Sequence, residues 1–515
     1  MNKFVAFLSK HVVFIVSITI ALLIIILGYV FSSNLNDISN SIMGFVSEKF
    51  GWVYLIFVFF LCIFLTWLAF SKYGKIKLGN DNEKPEYSNF SWYAMLFCGG
   101  TGIGLVFWSI AEPLSHYVAP PTGIEPGTIE AANFSIRTCF MHWGITQWAC
   151  FAIVGLALAY FTFRKNKKGL ISSLLSPLIG DKASNGIIGK IIDIFSVVVS
   201  FAGVATSLGL GVSQICGGLN HLYGIPNNQM VWLIIIAIIT VIFLLSAISG
   251  INKGIKFLSN INTYIALALL FFGFVVGPKT QIFNNLTNGV GQHLQHFIED
   301  SLMIDPFGDN EWVMNWRIFY FAWFIAWAPF VGMFIARISR GRTIKEFIIG
   351  VVLIPTVFTI IWLSVFGTIA LSVTGTFSLA ELQKLIASPE TAVFIVFEQF
   401  PLSKVLSILV IILLSIFFIT SADSATYSLS MMTSGGDLNP PWYKKIIWAL
   451  IEAAMAFILL SAGSLKPLQT VSVASSLPFL LIMILMCPAL LKELKKENKN
   501  VTKEYKLPDV VCRDE

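Results

Sequence analysis

Long apolar stretches alternate with short polar connections along nearly the whole chain. Each stretch is about 20 residues or longer, which is the length that an α-helix needs to cross the hydrocarbon core of a bilayer. The pattern predicts an all-α polytopic membrane protein with about 12 transmembrane helices. The predicted spans lie near residues 11–32, 51–70, 91–115, 135–163, 187–213, 229–249, 260–278, 314–337, 346–373, 403–431, 443–462 and 468–491.

Lysine and arginine mark every second connection between these spans. They cluster at the N-terminus, at 72–77, 164–168, 253–256, 337–345 and 444–445, and in the tail after Leu491, whereas the other connections are poor in both residues. Because positive residues remain on the cytoplasmic side, the alternation predicts an even number of spans with both termini cytoplasmic. The first apolar run lacks a small-residue cleavage site, so we interpret it as a span and not as a signal peptide.

Composition supports a membrane protein and argues against other classes. The chain has 515 residues, of which 56% are hydrophobic and 12% charged, about half the charged fraction of an ordinary soluble domain. The net charge of +6 comes from short loops that set orientation, so no nucleic-acid partner is expected. Seven cysteines, mostly inside spans, indicate neither a disulfide framework nor a metal site. No nucleophile–base pair or phosphate loop is visible, so we do not expect an enzyme.

The third predicted span carries four glycines in its middle, Gly99, Gly100, Gly102 and Gly104. This number of glycines should loosen or unwind a helix, and transporters tolerate unwound backbone where it lines a substrate or ion cavity. An alternative is that Gly100 and Gly104 allow close helix packing through small-xxx-small spacing. The pattern GTGIGL does not match the dinucleotide-binding fingerprint, and no strand precedes it.

The eighth predicted span places Trp323 and Trp327 near mid-depth, four residues apart on one helix face. Membrane tryptophans normally lie at the headgroup level. Indole faces attract a quaternary ammonium group, so the pair is a candidate wall of a cation site. The alternative is plain packing of bulky rings against neighbouring helices.

Span order and loop charge together predict two inverted units. Helices three to seven and eight to twelve form units of five, and an odd unit length forces them to cross the membrane in opposite directions. In such folds the site lies near mid-membrane, between the broken first helices of the two repeats. The predicted organisation is 1–90 for two N-terminal helices and a cytoplasmic loop, 91–280 for the first repeat, 281–313 for an extracellular amphipathic helix, 314–491 for the second repeat and 492–515 for a short cytoplasmic tail.

Four stretches resemble the betaine/choline/carnitine transporter family. They are GTGIGLVFWSIAEP (100–113), HWGITQWACFAIVGLALAYF (142–161), FYFAWFIAWAPFVGMFIARISRGRTIKEF (319–347) and FFITSADSATY (417–427). The resemblance implies a leucine-transporter-like core after two extra N-terminal helices, commonly assembled as a homotrimer in the plasma (inner) membrane.

The same resemblance implies a substrate site. An aromatic cage would enclose a trimethylammonium head, and backbone N–H groups of the glycine-rich stretch would bind the substrate carboxylate. The implied cage residues are Trp143, Trp148, Phe151, Trp323, Phe324 and Trp327, and the implied carboxylate site is Gly100, Thr101 and Gly102. Phe324 and Phe151 stand where a Trp and a Tyr are common in the family, so the cage is expected to bind more loosely or to accept a different methylated cation.

Sodium sites are implied in the same way, because Na⁺ takes hard oxygen ligands. The first site would use the hydroxyls of Thr420 and Ser421, the Phe417 carbonyl and the backbone oxygens of Cys98 and Thr101, and a possible second site would use Ser200, Ser207 and Phe330. Val204 lies where sodium-coupled betaine carriers usually have a hydroxyl, which puts the second ion in doubt. Intramembrane Ser and Thr often bond only to their own helix, so that alternative stays open for Thr420 and Ser421.

The sequence thus predicts a secondary transporter that imports a trimethylammonium osmolyte, most simply glycine betaine, by sodium symport with alternating access. A proton-coupled or exchange-type choline or carnitine carrier is an alternative, as is a transporter-like sensor or channel. Beyond the substrate and Na⁺, the expected partners are lipid and further copies of the chain. Glu112 and Arg137, near the outer ends of consecutive spans, are expected to form a structural ion pair.

Overall fold

A computed structural model describes residues 2–31, 35–249, 255–461 and 466–504, and most of these residues are helical. Lys253 and residues 505–515 of the predicted tail lie outside the described residues. The first half contains α1 (Asn2–Val30), α2 (Leu35–Phe70), α3 (Asn89–Gly100), α4 (Gly102–Val118), α5 (Ile129–Trp143), α6 (Ile145–Ala159), α7 (Ile171–Leu174), α8 (Ser176–Ile179), α9 (Asp181–Ser184), α10 (Ile187–Tyr223), α11 (Gln229–Ser249) and α12 (Ile255–Val276).

The second half contains α13 (Lys279–Ser301), α14 (Phe319–Ile338), α15 (Ile344–Ile348), α16 (Ile354–Ser372), α17 (Leu379–Ala387), α18 (Pro389–Phe397), α19 (Ser403–Met432), α20 (Trp442–Ser461) and α21 (Lys466–Glu504). Stretches of π-helix cover Tyr160–Arg164, Val313–Ile318 and Ile349–Leu353, and 3₁₀ turns cover Lys72–Lys75 and Thr374–Thr376. Among the described residues the only β pairing is an isolated bridge between Lys77 and Thr343.

The all-α class predicted from the pattern is confirmed. Within the described residues, 10 helical stretches are long and apolar enough to cross a membrane, or 11 if α3 and α4 count together as one bent span. The remaining predicted span, 443–462, corresponds to α20. That helix carries Lys444, Lys445 and Glu452 along an otherwise apolar run. With three charged residues it is not among the 10 stretches that are apolar enough to cross a membrane.

The predicted disruption of the third span is present. α3 ends at Gly100, α4 begins at Gly102, and the two axes are bent by 65°. Gly102 has φ +45°, a left-handed conformation that residues with a Cβ adopt only at a cost of about 1–2 kcal/mol. Glycine at this position therefore allows the chain to leave one helix and enter the next within a single residue.

The Trp-rich helix α14 is the centre of the bundle. All residues in the apolar stretch of this span are buried within the protein, whereas only 17% of the corresponding residues are buried in α1 and 28% in α12. α14 therefore faces other helices, while α1 and α12 face the surroundings. α14 packs on α6, α10, α19 and α21. Its tryptophans therefore point into protein and not toward lipid.

Two connections form helices of their own. The long connection after the seventh predicted span contains the amphipathic helix α13, which lies against α5 and α16. The connection between the ninth and tenth predicted spans contains α17 and α18, and both pack on α4. α17 and α18 thus flank the second half of the broken span.

Candidate functional site

Aromatic rings from α5, α6 and α14 converge in the middle of the bundle. Trp143, at the end of α5, lies 6.1 Å from the ring centroids of both Trp323 and Phe324 on α14. Phe151 on α6 lies 6.1 Å from Phe324 and 6.4 Å from Trp327. All five side chains are at most 3% exposed. The chain thus brings the predicted cage rings together.

The rings border a cavity of about 10 Å³, which is lined by Thr101, Trp143, Gln147, Trp323, Phe324 and Trp327. This volume lies far below the ~300–1,000 Å³ of pockets for drug-sized ligands, so the cavity is nearly closed in this conformation. The rings leave room for little more than a water molecule. A bound substrate would therefore have to part them.

Two predicted cage residues lie behind the cavity wall. Phe151 stacks on Trp327 with an interplanar angle of 23°. Trp148 lies edge-on to Phe151 at 5.7 Å, and a Cβ added to Gly100 would come within 2.5 Å of the Trp148 ring. Trp148 and Phe151 therefore support the cavity from outside, and neither contributes to its surface.

The glycines of the broken span bring its backbone against these rings. A Cβ at Gly104 would lie 2.8 Å from the Trp143 ring and 3.0 Å from the Trp323 ring, closer than real side chains approach. Together with the contact of Gly100 on Trp148, this shows that Gly100 and Gly104 serve close packing while Gly102 serves the break. The two interpretations of the glycine cluster are both correct, at different residues.

Gln147 is a site residue that the sequence analysis missed. Its side-chain Nε2 donates a hydrogen bond of 3.0 Å to the carbonyl oxygen of Gly100, where the helix breaks. The available signal was an amide side chain inside a long apolar stretch. Because an unpaired carbonyl is costly at membrane depth, this hydrogen bond helps to stabilise the broken conformation.

Trp327 is held in place from the opposite side. Its Nε1 donates a hydrogen bond of 2.8 Å to the carbonyl oxygen of Gly203 on α10. A Cβ at Gly203 would approach the Trp327 ring to 2.8 Å, so glycine is needed for this contact too. The indole thereby presents a fixed face to the cavity.

Glu112 on α4 lies at the outer edge of the ring cluster and binds two of its members. One carboxylate oxygen accepts hydrogen bonds from Trp143 Nε1 at 2.7 Å and from the Tyr320 hydroxyl at 2.6 Å. The other contacts His142 Nδ1 at 2.6 Å and His116 Nε2 at 3.4 Å. All of these side chains are buried. Tyr320 and the role of Glu112 were both missed from the sequence.

The expected ion pair between Glu112 and Arg137 is wrong. Arg137 pairs with Asp300 on α13 through an Nε–Oδ2 contact of 2.9 Å, while Glu112 turns inward to the rings. The carboxylate is drawn to indole, phenol and imidazole groups on helices that adjoin α4. Ligand atoms of Glu112, His116 and Cys139 lie within 4.8 Å of one another, but the hydrogen bonds to the rings already occupy the carboxylate.

The residues of the first predicted sodium site lie at the helix break or on α19 beside it. Ser421 Oγ is buried and has no hydrogen-bond partner among the described residues, and a Cβ at Gly102 would lie 2.7 Å from it. Thr420 Oγ1 bonds to carbonyl oxygens of its own helix, including that of Phe417 at 3.1 Å, and Thr101 Oγ1 bonds to Phe97 O at 2.7 Å. The Ser421 hydroxyl thus offers an uncommitted hard oxygen to a cation.

The prediction for Cys98 concerns its backbone oxygen; its thiol donates to the Ser259 carbonyl oxygen at 3.5 Å. The residues of the second predicted site differ in their hydrogen bonding. Ser200 Oγ bonds within its own helix to Ser196 O at 2.8 Å, and the carbonyl oxygen of Phe330 accepts a hydrogen bond from Ser428 at 3.1 Å. Ser207 Oγ is buried without a partner among the described residues.

Comparisons with known proteins agree on one family. The family model described as "BCCT, betaine/carnitine/choline family transporter" matches residues 12–499. The chain is 48% identical to the glycine betaine transporter OpuD of Bacillus subtilis, over 97% of each chain. It is 45% identical to a probable glycine betaine transporter of Desulfitobacterium hafniense, over 95% of this chain and 98% of the relative.

Other relatives widen the range of substrates. An ectoine/hydroxyectoine transporter of Virgibacillus pantothenticus is 42% identical over 96% of this chain and 98% of its own.

Among solved structures, a Na⁺-coupled sialic acid symporter is similar with 14% identity and a TM-score of 0.45, over 80% of this chain and 79% of that chain. A likeness at that level supports no conclusion about coupling.

Proposed function

Because the chain belongs to the betaine/carnitine/choline transporter family, we propose that this multi-pass transporter imports glycine betaine together with sodium. The observation that carries the substrate assignment is the ring cluster of α5, α6 and α14 around a small cavity next to a broken helix. Indole faces favour a quaternary ammonium group by roughly 0.5–2 kcal/mol per ring. Two relatives, a glycine betaine transporter and a probable glycine betaine transporter, point to the same ligand.

The break at Thr101 supplies the other half of the proposed site. Backbone N–H groups at the start of α4 are not used by the preceding turn and lie at the positive end of a helix dipole, which favours a carboxylate. Thr101 lines the cavity and precedes Gly102. A zwitterion would thus place its ammonium head among the rings and its carboxylate at the start of α4, at Gly102. Of the other two predicted carboxylate residues, Gly100 lies within α3, and the Thr101 N–H already donates to the Phe97 carbonyl oxygen at 3.0 Å.

Sodium would bind on the far side of the same break, and its proposed first ligand is the hydroxyl of Ser421. By joining α19 to the broken span, the ion would favour the conformation in which the carboxylate pocket is complete. This linkage is the proposed basis of coupling by alternating access. Since the substrate has no net charge, each Na⁺ would carry one positive charge inward, worth about 2.3 kcal/mol per 100 mV.

The remaining predictions belong to the same proposal. They are two inverted five-helix repeats within 91–280 and 314–491, cytoplasmic termini, a plasma-membrane location and a trimeric assembly. One sodium ion is proposed at the Ser421 hydroxyl, and a second would have as its first ligand Ser207, whose hydroxyl also has no partner among the described residues.

Uptake into proteoliposomes tests this function. Purified protein is reconstituted, and accumulation of labelled glycine betaine is followed under an inward Na⁺ gradient, with K⁺ replacing Na⁺ as the control. We expect accumulation above equilibrium with Na⁺ alone, and faster uptake when the interior is made negative. Accumulation driven equally by a proton gradient or by counter-transported carnitine would reject sodium symport.

Competition within the same assay defines the substrate. Choline, carnitine and ectoine are added in excess to labelled glycine betaine. We expect glycine betaine itself to compete best, because choline lacks the carboxylate for the helix break and ectoine lacks a trimethylammonium head. Stronger competition by ectoine would reassign the site to the substrate named for the relative of Virgibacillus pantothenticus. A channel-like protein would equilibrate its solute without accumulation.

A further inference from the structure

We infer that Glu112 is a positioning residue that gives the cage its preference for a positive charge, through the rings that it binds. The inference rests on the proposed function, because it concerns how the proposed substrate is distinguished from a molecule of the same shape whose head group is uncharged. Glu112 does not line the cavity. Its effect would reach the substrate through Trp143 and Tyr320.

The geometry of Glu112 links three helices at the edge of the cage. The residue lies on α4, and a single one of its oxygens accepts from Trp143 Nε1 on α5 at 2.7 Å and from the Tyr320 hydroxyl on α14 at 2.6 Å. An indole N–H can only donate. The hydrogen bond from Trp143 therefore requires an acceptor at this position, and Glu112 provides it.

Both rings connect the carboxylate to the cavity. Trp143 lines the cavity itself. Tyr320 lies 5.9 Å from Trp323 and 5.7 Å from Phe324, measured between ring centroids. Glu112 thus holds one ring of the cavity wall directly, and a second ring that packs against two more. Loss of the carboxylate would release the edge of the cage farthest from Trp327.

The carboxylate also changes what these rings offer to a cation. Hydrogen bonds to an ionised acceptor are short and strong, and they polarise the donor group. A ring that donates to an anion carries more electron density on its face, and the attraction of a cation to a ring depends on that density. Water is excluded around Glu112, which is 0% exposed, so little screening intervenes. A ligand with an uncharged head group gains nothing from this effect.

Other polar groups share the charge and limit the effect. His142 and His116 contact the second carboxylate oxygen at 2.6 Å and 3.4 Å, the thiol of Cys139 lies close to it, and the guanidinium of Arg317 is fully buried nearby on the stretch that precedes α14. Glu112 therefore acts as a partly compensated charge. We expect it to adjust affinity by about one order of magnitude, as an additional cation–ring contact does.

The test compares glycine betaine with 3,3-dimethylbutanoate, in which carbon replaces the ammonium nitrogen and the shape is retained. Purified protein in sodium buffer is titrated with labelled glycine betaine, and 3,3-dimethylbutanoate is used as the competitor. The variant Glu112→Gln keeps an oxygen that accepts from Trp143 and gains an N–H that donates to His142. We expect its affinity for glycine betaine to fall roughly tenfold and its affinity for 3,3-dimethylbutanoate, whose head group is uncharged although the molecule is an anion, to change less than about twofold.

A matched control removes another buried carboxylate. Glu452 on α20 is 0% exposed and accepts a hydrogen bond of 2.7 Å from Thr426, outside the ring cluster. Glu452→Gln should leave the ratio of the two affinities unchanged. Equal losses for both ligands in Glu112→Gln would show a purely structural role and overturn the inference, as would no change in either.

A second variant supports the test if Glu112→Gln is poorly produced. Trp143→Phe keeps an aromatic ring but removes the N–H that binds Glu112. It should therefore also lower the preference for glycine betaine over 3,3-dimethylbutanoate. Where both variants are stable, their combination should cost less than the sum of the single effects. Full additivity would contradict the inference. Absence of glycine betaine binding by the unaltered protein would refute the proposed function instead.

Discussion

The broken pair α3–α4 and the Trp-rich helix α14 begin the two proposed repeats, yet they differ in backbone. α3 and α4 meet at a 65° bend, whereas α14 runs unbroken from Phe319 to Ile338. The expectation that both first helices are broken is therefore wrong for α14. Gly102 leaves helical geometry with φ +45°, while Pro329 keeps a φ that a helix accepts and removes only a single N–H.

This difference separates two tasks. The broken pair offers backbone groups and close glycine contacts, which suit small hard ligands such as a carboxylate or an ion. The continuous helix offers ring faces at fixed spacing, which suit an apolar cation. The two repeats thus contribute different chemistry to a shared cavity, and substitutions in each should have different signatures.

The largest effect is expected at the break. Gly102→Ala forces a residue with a Cβ into a left-handed backbone conformation and places that Cβ within 2.7 Å of Ser421 Oγ. The backbone strain alone costs about 1–3 kcal/mol. We therefore expect a loss of more than about 90% of sodium-driven uptake. Uptake by protein of matched membrane abundance is the measurement. Gly291→Ala on the exposed face of α13, where a Cβ would meet nothing, is the control and should retain full uptake. Normal uptake by Gly102→Ala would mean that the break is not needed.

The next effect concerns the ring face of α14. Trp327→Leu removes an indole from the cavity wall, so we expect the apparent affinity for glycine betaine to fall about tenfold or more. Concentration dependence of uptake measures this affinity. Trp448→Leu is a matched control, because Trp448 is also buried and also donates its Nε1, to Thr433 Oγ1 at 3.1 Å, but lies on α20. Equal losses in both variants would point to general destabilisation.

A smaller effect is expected for the ion. Ser421→Ala removes the uncommitted hydroxyl, so the sodium concentration for half-maximal uptake should rise several-fold, by about the 1–3 kcal/mol of a lost buried polar partner at most. Thr420→Ala should raise it less, because that hydroxyl bonds within its own helix. Ser424→Ala, whose hydroxyl bonds to Thr420 O at 2.8 Å, is the control. An unchanged sodium dependence in Ser421→Ala would place the ion elsewhere.

The smallest effect is expected at Pro329. Pro329→Ala restores one backbone N–H inside a helix that is already continuous, so we expect uptake to change less than about twofold. Initial rates at saturating Na⁺ and substrate provide the measurement. A loss comparable with that of Gly102→Ala would show that α14 also bends during transport, and the contrast between the two helices would then be limited to this conformation.

Much of this architecture follows from the sequence because it depends on local composition. Apolar run length predicts the spans, four glycines in one span predict its disruption, and two tryptophans at mid-depth predict a ring cluster. Each of these signals lies within a single span, so it can be recognised in one sequence without knowing which helices pack together.

Partner choice inside the bundle could not be predicted in the same way. Glu112 and Arg137 are near in depth, but the carboxylate turns to Trp143 and Tyr320 while the guanidinium turns to Asp300. That outcome depends on the rotation of three helices, which no periodicity specifies. The division between cavity lining and support, which puts Gln147 inside and Trp148 behind, depends on the same packing.

The contacts of Gly104 with two indoles have a consequence for engineering. Since any side chain at Gly104 meets both Trp143 and Trp323, libraries that vary Gly104 alone will mostly yield inactive proteins. Altered solute selectivity should instead arise from paired changes, in which a smaller ring accompanies a larger residue at Gly104. Directed evolution of this carrier is thus expected to advance by compensating double substitutions.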